Sequence, residues 1–250
     1  MHRFYLPPEN CRGDTLTLDG REAHHAIHVL RVRGKEGVVV LNGVGLELHC
    51  EVSGLERKSL TLQVAEQKAI PPLPCAITLL QAIPKGKLIE SIIQKATELG
   101  VARIVPILSE RVLVHLDSDG AEAKAEKWQQ IAIEAIKQCG SAWLPKVEPP
   151  VTIEKFIACQ ESFELPLVGC LESDSRHPRI WFDQFLAEQQ RMPRSVGMWV
   201  GPEGDFTPAE YSSIKAAGAK PITLGPLVLR VETAATYCLS VLNYELQAPR

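Results

Sequence analysis

The 250-residue chain has no apolar run near the ~20 residues that a membrane-spanning helix requires. Its start, Met1-His2-Arg3-Phe4-Tyr5, is not followed by an apolar h-region, which predicts no signal peptide. No CxxC pair occurs among the seven scattered cysteines, which argues against a disulfide framework or a zinc ribbon. The compartment this pattern predicts is the reducing cytoplasm. An excess of one charge is also missing. Lys and Arg number 27 against 30 Asp and Glu, a net of −3. Residues 1–72 carry nine of each sign, and residues 73–250 carry 18 basic and 21 acidic. Any nucleic-acid surface is then a local patch rather than a global field. Repeats and low-complexity segments are absent. What remains is an ordinary folded composition, 45% hydrophobic and 23% charged, which excludes wholesale disorder.

The first seventy residues read as β-rich, with strands expected at 15–18, 38–41, 46–52 and 60–64. Asn42-Gly43 and Ser53-Gly54 are the expected turns, and the spacing fits a small barrel. One helix is expected from Glu22 to Arg31. Ile70-Pro71-Pro72-Leu73-Pro74 reads as a stiff linker, which divides the chain into domains 1–72 and 73–250. Beyond it, strands expected at 76–83, 101–108, 167–171, 196–200 and 221–224 alternate with helices from Leu88 to Leu99 (with Gly100 as the expected stop), 121–139 and 232–247. Thr207-Pro208-Ala209-Glu210 is a capping box with proline at the first helical position. This alternation predicts an α/β fold with a mostly parallel sheet, helices on both faces, and ligands outside the carboxyl ends of the strands.

Three segments could carry chemistry. Val200-Gly201-Pro202-Glu203-Gly204-Asp205-Phe206 runs from a strand through a glycine-bearing turn into a capped helix. The turn frees backbone groups for a ligand, or is simply tight with a surface Glu203. It lacks the Gly-Lys-Ser/Thr of a Walker loop and is no dinucleotide fingerprint. Leu224-Gly225-Pro226-Leu227-Val228-Leu229-Arg230-Val231-Glu232-Thr233-Ala234 again lies at a strand's end, where Arg230 and Glu232 have the bland reading of a surface Arg and a dipole-favoured Glu. Lys85 and Lys87 begin a helix against its dipole, which suits a phosphate or a solvated loop. Other candidates weigh less. His24 and His28, with His25 adjacent, have zinc spacing but no third ligand, so no metal is expected. Ser109, His115 and Asp117 form a triad only on paper, without a nucleophile elbow. The cysteines suit packing better than nucleophilic attack.

Taken in order, several runs resemble the RsmE family of ribosomal RNA small-subunit methyltransferases, within the SPOUT superfamily. They are Arg3-Phe4-Tyr5, His24-His25 with Val29-Leu30-Arg31, Lys85-Gly86, and Gln94-Lys95-Ala96-Thr97-Glu98-Leu99-Gly100-Val101. They continue with Pro106, Ser109-Glu110-Arg111, Lys127-Trp128, Glu134-Ala135, Gly201-Pro202-Glu203-Gly204, Leu224-Gly225, Leu229-Arg230 and Glu232-Thr233-Ala234. The resemblance runs from residue 3 to about 240. It implies an N-terminal PUA-like RNA-binding β-barrel and a C-terminal SPOUT α/β domain tied in a trefoil knot. It also implies a cytoplasmic homodimer that binds S-adenosylmethionine in the knot. The implied reaction is methylation of uridine N3 in 16S ribosomal RNA, free or within a ribosomal particle, with no membrane partner.

The resemblance maps the cofactor onto three loops, 168–172, 200–206 and 224–229. The implied cofactor residues are Leu171, Glu172, Val200, Gly201, Pro202, Glu203, Gly204, Leu224, Gly225, Pro226, Val228, Leu229, Thr233 and Ala234, with Leu171 and Leu229 on the adenine. Glu203 or Glu232 would complement the sulfonium. Arg230 is the expected stabiliser of a uracil anion, with Glu203 or solvent taking the proton. Arg3, Arg31, Lys85, Lys87, Arg111 and Lys127 are the expected RNA contacts. The chain departs from the family pattern at Asp205, usually glycine, and at Leu227 and Ser141, usually arginine. The lost arginines keep open a rival reading, an RNA-binding or ribosome-assembly protein of this fold without catalysis. Another SPOUT branch, methylating a different RNA position, is the third.

Overall fold

The computed structural model describes residues 1–111 and 118–247. The chain forms two compact units: residues 1–72 with 133–144, and residues 73–132 with 145–250. His115 and Asp117 lie outside the described residues.

The first unit is a five-stranded sheet ordered β1-β3-β4-β5-β2. Its strands are β1 (His2–Tyr5), β2 (Thr15–Leu18), β3 (Gly37–Leu41), β4 (Leu46–Leu55) and β5 (Leu60–Ala69). β1 lies parallel to β3, and the other pairings are antiparallel. Alternate residues from all five strands, among them Phe4, Leu16, Val38, Val40, Leu48, Cys50 and Leu62, join one buried cluster, so the sheet curls around a single core. Two local expectations are corrected. Ser53-Gly54 is no turn: it sits inside β4 at a register shift, and the chain reverses at Glu56–Ser59 instead. A bulge uses a glycine as readily as a turn does. The helix expected from Glu22 to Arg31 is α1 (Gly20–His24) followed by a π-helical turn over His25–Leu30, which ends on Arg31 in the left-handed region. The residues that follow β5 run to β6 through the proline-rich segment.

The second unit is built on a seven-stranded sheet, all of whose pairings are parallel. In chain order its elements are β6 (Ala76–Ala82), α2 (Leu88–Glu98), β7 (Arg103–Leu108), α3 (Ser118–Cys139, whose residues from Ile133 on belong to the first unit), β8 (Lys146–Val147), β9 (Val151–Thr152) and α4 (Ile153–Ala158). They continue with β10 (Leu165–Gly169), α5 (Pro178–Gln189), β11 (Ser195–Val200), α6 (Pro208–Ala216), β12 (Lys220–Ile222) and α7 (Val231–Leu246). The strand order is β12-β10-β11-β6-β7-β8, with β9 also on β7. Neighbouring residues of β6 and β11 are buried on both sides of the pleat, as a sheet covered on both faces demands. Leu80, Val105, Val168 and Trp199 pack with Phe156 of α4 and Tyr211 and Ile214 of α6. α7 contacts α2 and β11. Its Asn243 donates to the Leu99 carbonyl, and the Gln247 amide bonds both backbone groups of Cys75 at the root of β6. No helix among the described residues is long and apolar enough to cross a membrane.

Candidate active site

Because every strand of the large sheet runs the same way, the carboxyl ends of β6, β7, β10, β11 and β12 share one edge. Residues just beyond three of them enclose a cavity of about 420 Å³. Gly169, Cys170 and Leu171 come from the end of β10, Val200 to Glu203 and Asp205 from β11, and Leu224 and 227–232 from the bend after β12. Leu88 of α2 and Ala234 of α7 complete the lining. The volume lies within the range of small-molecule sites, which run from roughly 300 to 1,000 Å³.

The bends have identifiable causes. Asp205 has a left-handed backbone (φ 62°), where glycine is at ease and most residues are not. The aspartate is held there by its own carboxylate: Oδ1 accepts from the Phe206 N–H at 2.9 Å and from the Tyr211 hydroxyl at 2.7 Å. That carboxylate occupies the space above Gly201, where an added Cβ would come within 2.7 Å of Oδ1. Glu203 accepts the Lys85 N–H at 2.9 Å through Oε1, and Arg111 donates to the Gly204 carbonyl. Gly225 is also left-handed (φ 104°), with nothing near the position of a Cβ, so its backbone alone demands glycine. Arg230 is the N-cap residue of α7 and faces the cavity with no side-chain cap bond.

The cavity wall joins apolar Leu171, Leu227, Val228 and Leu229 to two carboxylates, Glu203 and Glu232, and to the cation Arg230; Asp205 also lines it, but its carboxylate is tied to the Phe206 N–H and the Tyr211 hydroxyl. Such a lining suits a ligand with a flat apolar part and a net positive end. Of the expected cofactor residues, Leu171, Val200, Gly201, Pro202, Glu203, Leu224, Val228, Leu229 and Ala234 line it, as do both expected catalytic residues. Gly204, Gly225, Pro226 and Thr233 shape the flanking backbone without lining it. Glu172 stands outside, where Lys215 bonds its carboxylate at 2.9 Å and that of Asp174 at 3.2 Å. Cys170, Glu172 and Asp174 place ligand atoms within 4.8 Å of one another, but the Lys215 ammonium already pairs with both carboxylates of that cluster.

A second cleft of about 440 Å³ adjoins the first through Pro202 and Glu203. Lys85, Lys87, Arg111 and Lys127 line it, together with Lys124. Lys127 pairs with Glu90 at 2.7 Å, and this hydrogen bond holds the Glu90 carboxyl below its ordinary range. The other two expected RNA contacts are in the smaller unit. Arg3 donates to the carbonyls of Lys137 and Gln138, at 3.4 and 3.1 Å, and so satisfies the end of α3. Arg31 is exposed.

The comparisons decide the family. Residues 71–243 match the RNA methyltransferase domain, and residues 18–65 match the RNA methyltransferase PUA domain. The chain belongs to the ribosomal RNA small subunit methyltransferase E family. It is 34% identical to that methyltransferase of Synechocystis over 252 aligned residues, covering 99% of this chain and 78% of the relative. The Bacillus subtilis methyltransferase E is 29% identical, over 94% of this chain and 92% of the relative. The methyltransferase E of Neisseria gonorrhoeae, whose crystal structure holds S-adenosyl methionine, superposes with a TM-score of 0.84 at 28% identity, covering 98% of each chain.

For a member of this family the remaining chemistry is spare. Burial pushes the thiols of Cys11 and Cys50 up to about 11 and those of Cys75 and Cys238 up to about 12, and it also raises Cys170. These cysteines are packing residues, not nucleophiles. Ser109 is buried, and its hydroxyl has no partner among the described residues. Sequence reasoning missed Leu88 and Val231 in the lining. Gly169 and Cys170 fall within the mapped loop 168–172, though neither was named singly. Nothing local in Leu88 signals its part, because a helix from elsewhere in the chain brings it there.

Proposed function

We propose that the protein transfers the methyl group of S-adenosylmethionine to N3 of a uridine in small-subunit ribosomal RNA. The observation that carries this reading is the closure of three glycine-bearing strand ends around one cavity whose wall holds carboxylates and Arg230. The lining fits the cofactor in kind: leucines for a purine, Glu203 and Glu232 for its positive charges, and backbone groups at Gly169 and Gly201. When bound, the cofactor supplies an electrophilic methyl group on a sulfonium.

The chain's own residues address the acceptor. Uracil N3 carries a proton, and its lone pair is free to attack only once that proton leaves. Charge then spreads onto O2 and O4, and the guanidinium of Arg230, set at the head of α7, stabilises it in place. Glu203 is tethered through one carboxylate oxygen, which leaves Oε2 to take the proton. N3 lies on the pairing edge, so the base must be unpaired or extruded to react. The cleft of Lys85, Lys87, Arg111 and Lys127 adjoins Glu203 and suits the phosphates flanking that base.

The same reading takes residues 1–72 as a PUA-like RNA-binding barrel and 73–250 as the methyltransferase domain, with the C-terminal segment threaded as a trefoil knot. The return of α7 from the sheet edge at β12 to β11 and α2 supports that threading. A cytoplasmic homodimer acting on free RNA or a ribosomal particle completes it, with Arg3 and Arg31 as further RNA contacts. The deciding test is Arg230→Ala. Methyl transfer to small-subunit RNA, followed by mass spectrometry of 3-methyluridine, should fall by about 100-fold or more while calorimetry shows cofactor affinity retained. Unchanged transfer with intact affinity would remove Arg230 from the reaction. A wild-type chain that binds RNA but not S-adenosylmethionine would favour the non-catalytic reading.

A further inference from the structure

Tyr211 takes no part in the cavity lining, yet its hydroxyl reaches two of the three segments that form it. The phenol oxygen stands 2.8 Å from the Gly169 carbonyl and 2.7 Å from Asp205 Oδ1. Gly169 ends β10, and Asp205 closes the bend after β11, so one side chain spans the two loops from behind. The hydroxyl has a single hydrogen for two acceptors, both of which are backbone or side-chain oxygens of cavity-lining residues.

The platform beneath it is rigid. Tyr211 is buried, and its ring meets Phe206 edge-on at 5.5 Å. It sits in the first turns of α6, whose capping box is complete in both directions: Thr207 accepts from the Glu210 N–H, and Glu210 accepts from the Thr207 N–H. The same Glu210 carboxylate accepts the Glu110 N–H beyond β7 at 2.8 Å, which ties a third strand end to α6. Burial and the Asp205 carboxylate both raise the phenol's pKa, so it keeps its proton throughout the working range. The special residue is Asp205. Its φ of 62° is a conformation that glycine would take without strain, and its side chain provides the link that glycine lacks.

We propose that Tyr211 is a positioning residue for the methyl-donor pocket, acting through Asp205 and Gly169 to hold the β10 and β11 bends at a fixed separation. The proposal rests on the reading of the cavity as the S-adenosylmethionine site. Its test is calorimetric titration of S-adenosylmethionine into the full-length wild type, Tyr211→Phe, Asp205→Gly and Asp205→Asn, each with its ligand-free Tm. Tyr211→Phe and Asp205→Gly should each weaken binding about tenfold, with KM for the donor rising in step and kcat staying within about twofold. Asp205→Asn keeps an oxygen acceptor and should bind nearly as the wild type does. The double variant Tyr211→Phe/Asp205→Gly should fall well short of the hundredfold loss expected of independent sites.

A lower Tm with unchanged affinity in Tyr211→Phe would overturn the proposal, because that is the mark of a purely structural hydroxyl. Multiplying losses in the double variant would overturn the path through Asp205. Should Tyr211→Phe fail to fold, Asp205→Gly alone decides, since a glycine suits that backbone: unchanged affinity there is fatal. A wild type that binds no S-adenosylmethionine defeats the cofactor reading instead, an outcome distinct from these.

Discussion

Gly201 shows how a single hydrogen in place of a side chain can be dictated from behind a pocket rather than from inside it. The position a Cβ would take is filled by the Asp205 carboxylate, which is fixed by two hydrogen bonds and cannot swing away cheaply. Gly201→Ala should therefore cost about 1–3 kcal/mol in urea unfolding, and the cost should shrink in an Asp205→Gly background where the obstacle is gone. Glu164 gives a pH-dependent case. Two hydrogen bonds from Arg191, each 2.8 Å, and one from the Arg194 N–H at 2.7 Å hold its carboxyl down to about 2. A depressed carboxylate pKa stabilises the fold above the ordinary glutamate value of about 4.3, and that contribution disappears as pH falls through about 2. The pair is partly exposed, so solvent screening keeps the effect small. Glu164→Gln should lower Tm by roughly 2 °C at pH 7, and the gap to wild type should close between about pH 4 and pH 2.

At the scale of elements, legibility followed how local the cause was. The start of α6 could be read because Thr207, Pro208 and Glu210 carry the whole capping box within four residues. The end of α2 could be read from Gly100, which takes φ 76° and closes a Schellman motif with Gly100 N–H to Thr97 and Val101 N–H to Ala96. Gly100→Ala should lower stability by more than about 1 kcal/mol in urea titration, because alanine is strained at that φ and its Cβ would press on Leu73 at 2.5 Å. Elements fixed by distant partners were silent. β1 is a four-residue strand whose pairing with β3 across thirty-odd residues sets it. α5 carries no strong apolar stripe, and only Pro178 and Phe182 are buried along it. The π-helical turn over His25–Leu30 keeps the composition of an α-helix, so apolar spacing alone could not separate the two.

For the molecule as a whole, the near-neutral charge concealed a basic cleft, because Lys85, Lys87, Arg111, Lys124 and Lys127 come from three separate stretches of chain. The glycine-bearing bends were visible one by one in the sequence. Their meeting was not derivable from spacing, since strand order puts β10 between β11 and β12. Binding of a small-subunit RNA fragment should weaken steeply as salt rises, and Lys85→Ala/Lys87→Ala should flatten the slope of log K against log salt by up to about 1.5, measured by fluorescence anisotropy. A slope equal to that of the wild type would remove these lysines from the phosphate contacts.

The clamp between Gln247 and Cys75 has a temporal meaning. It joins the far end of α7 to the first strand of the large sheet, across almost the whole of that unit. The cavity borrows walls from residues 88 through 234, so it is complete only once α7 has docked against α2 and β11. A fragment that stops before α7 thus has no finished receptacle, however well its strands have paired.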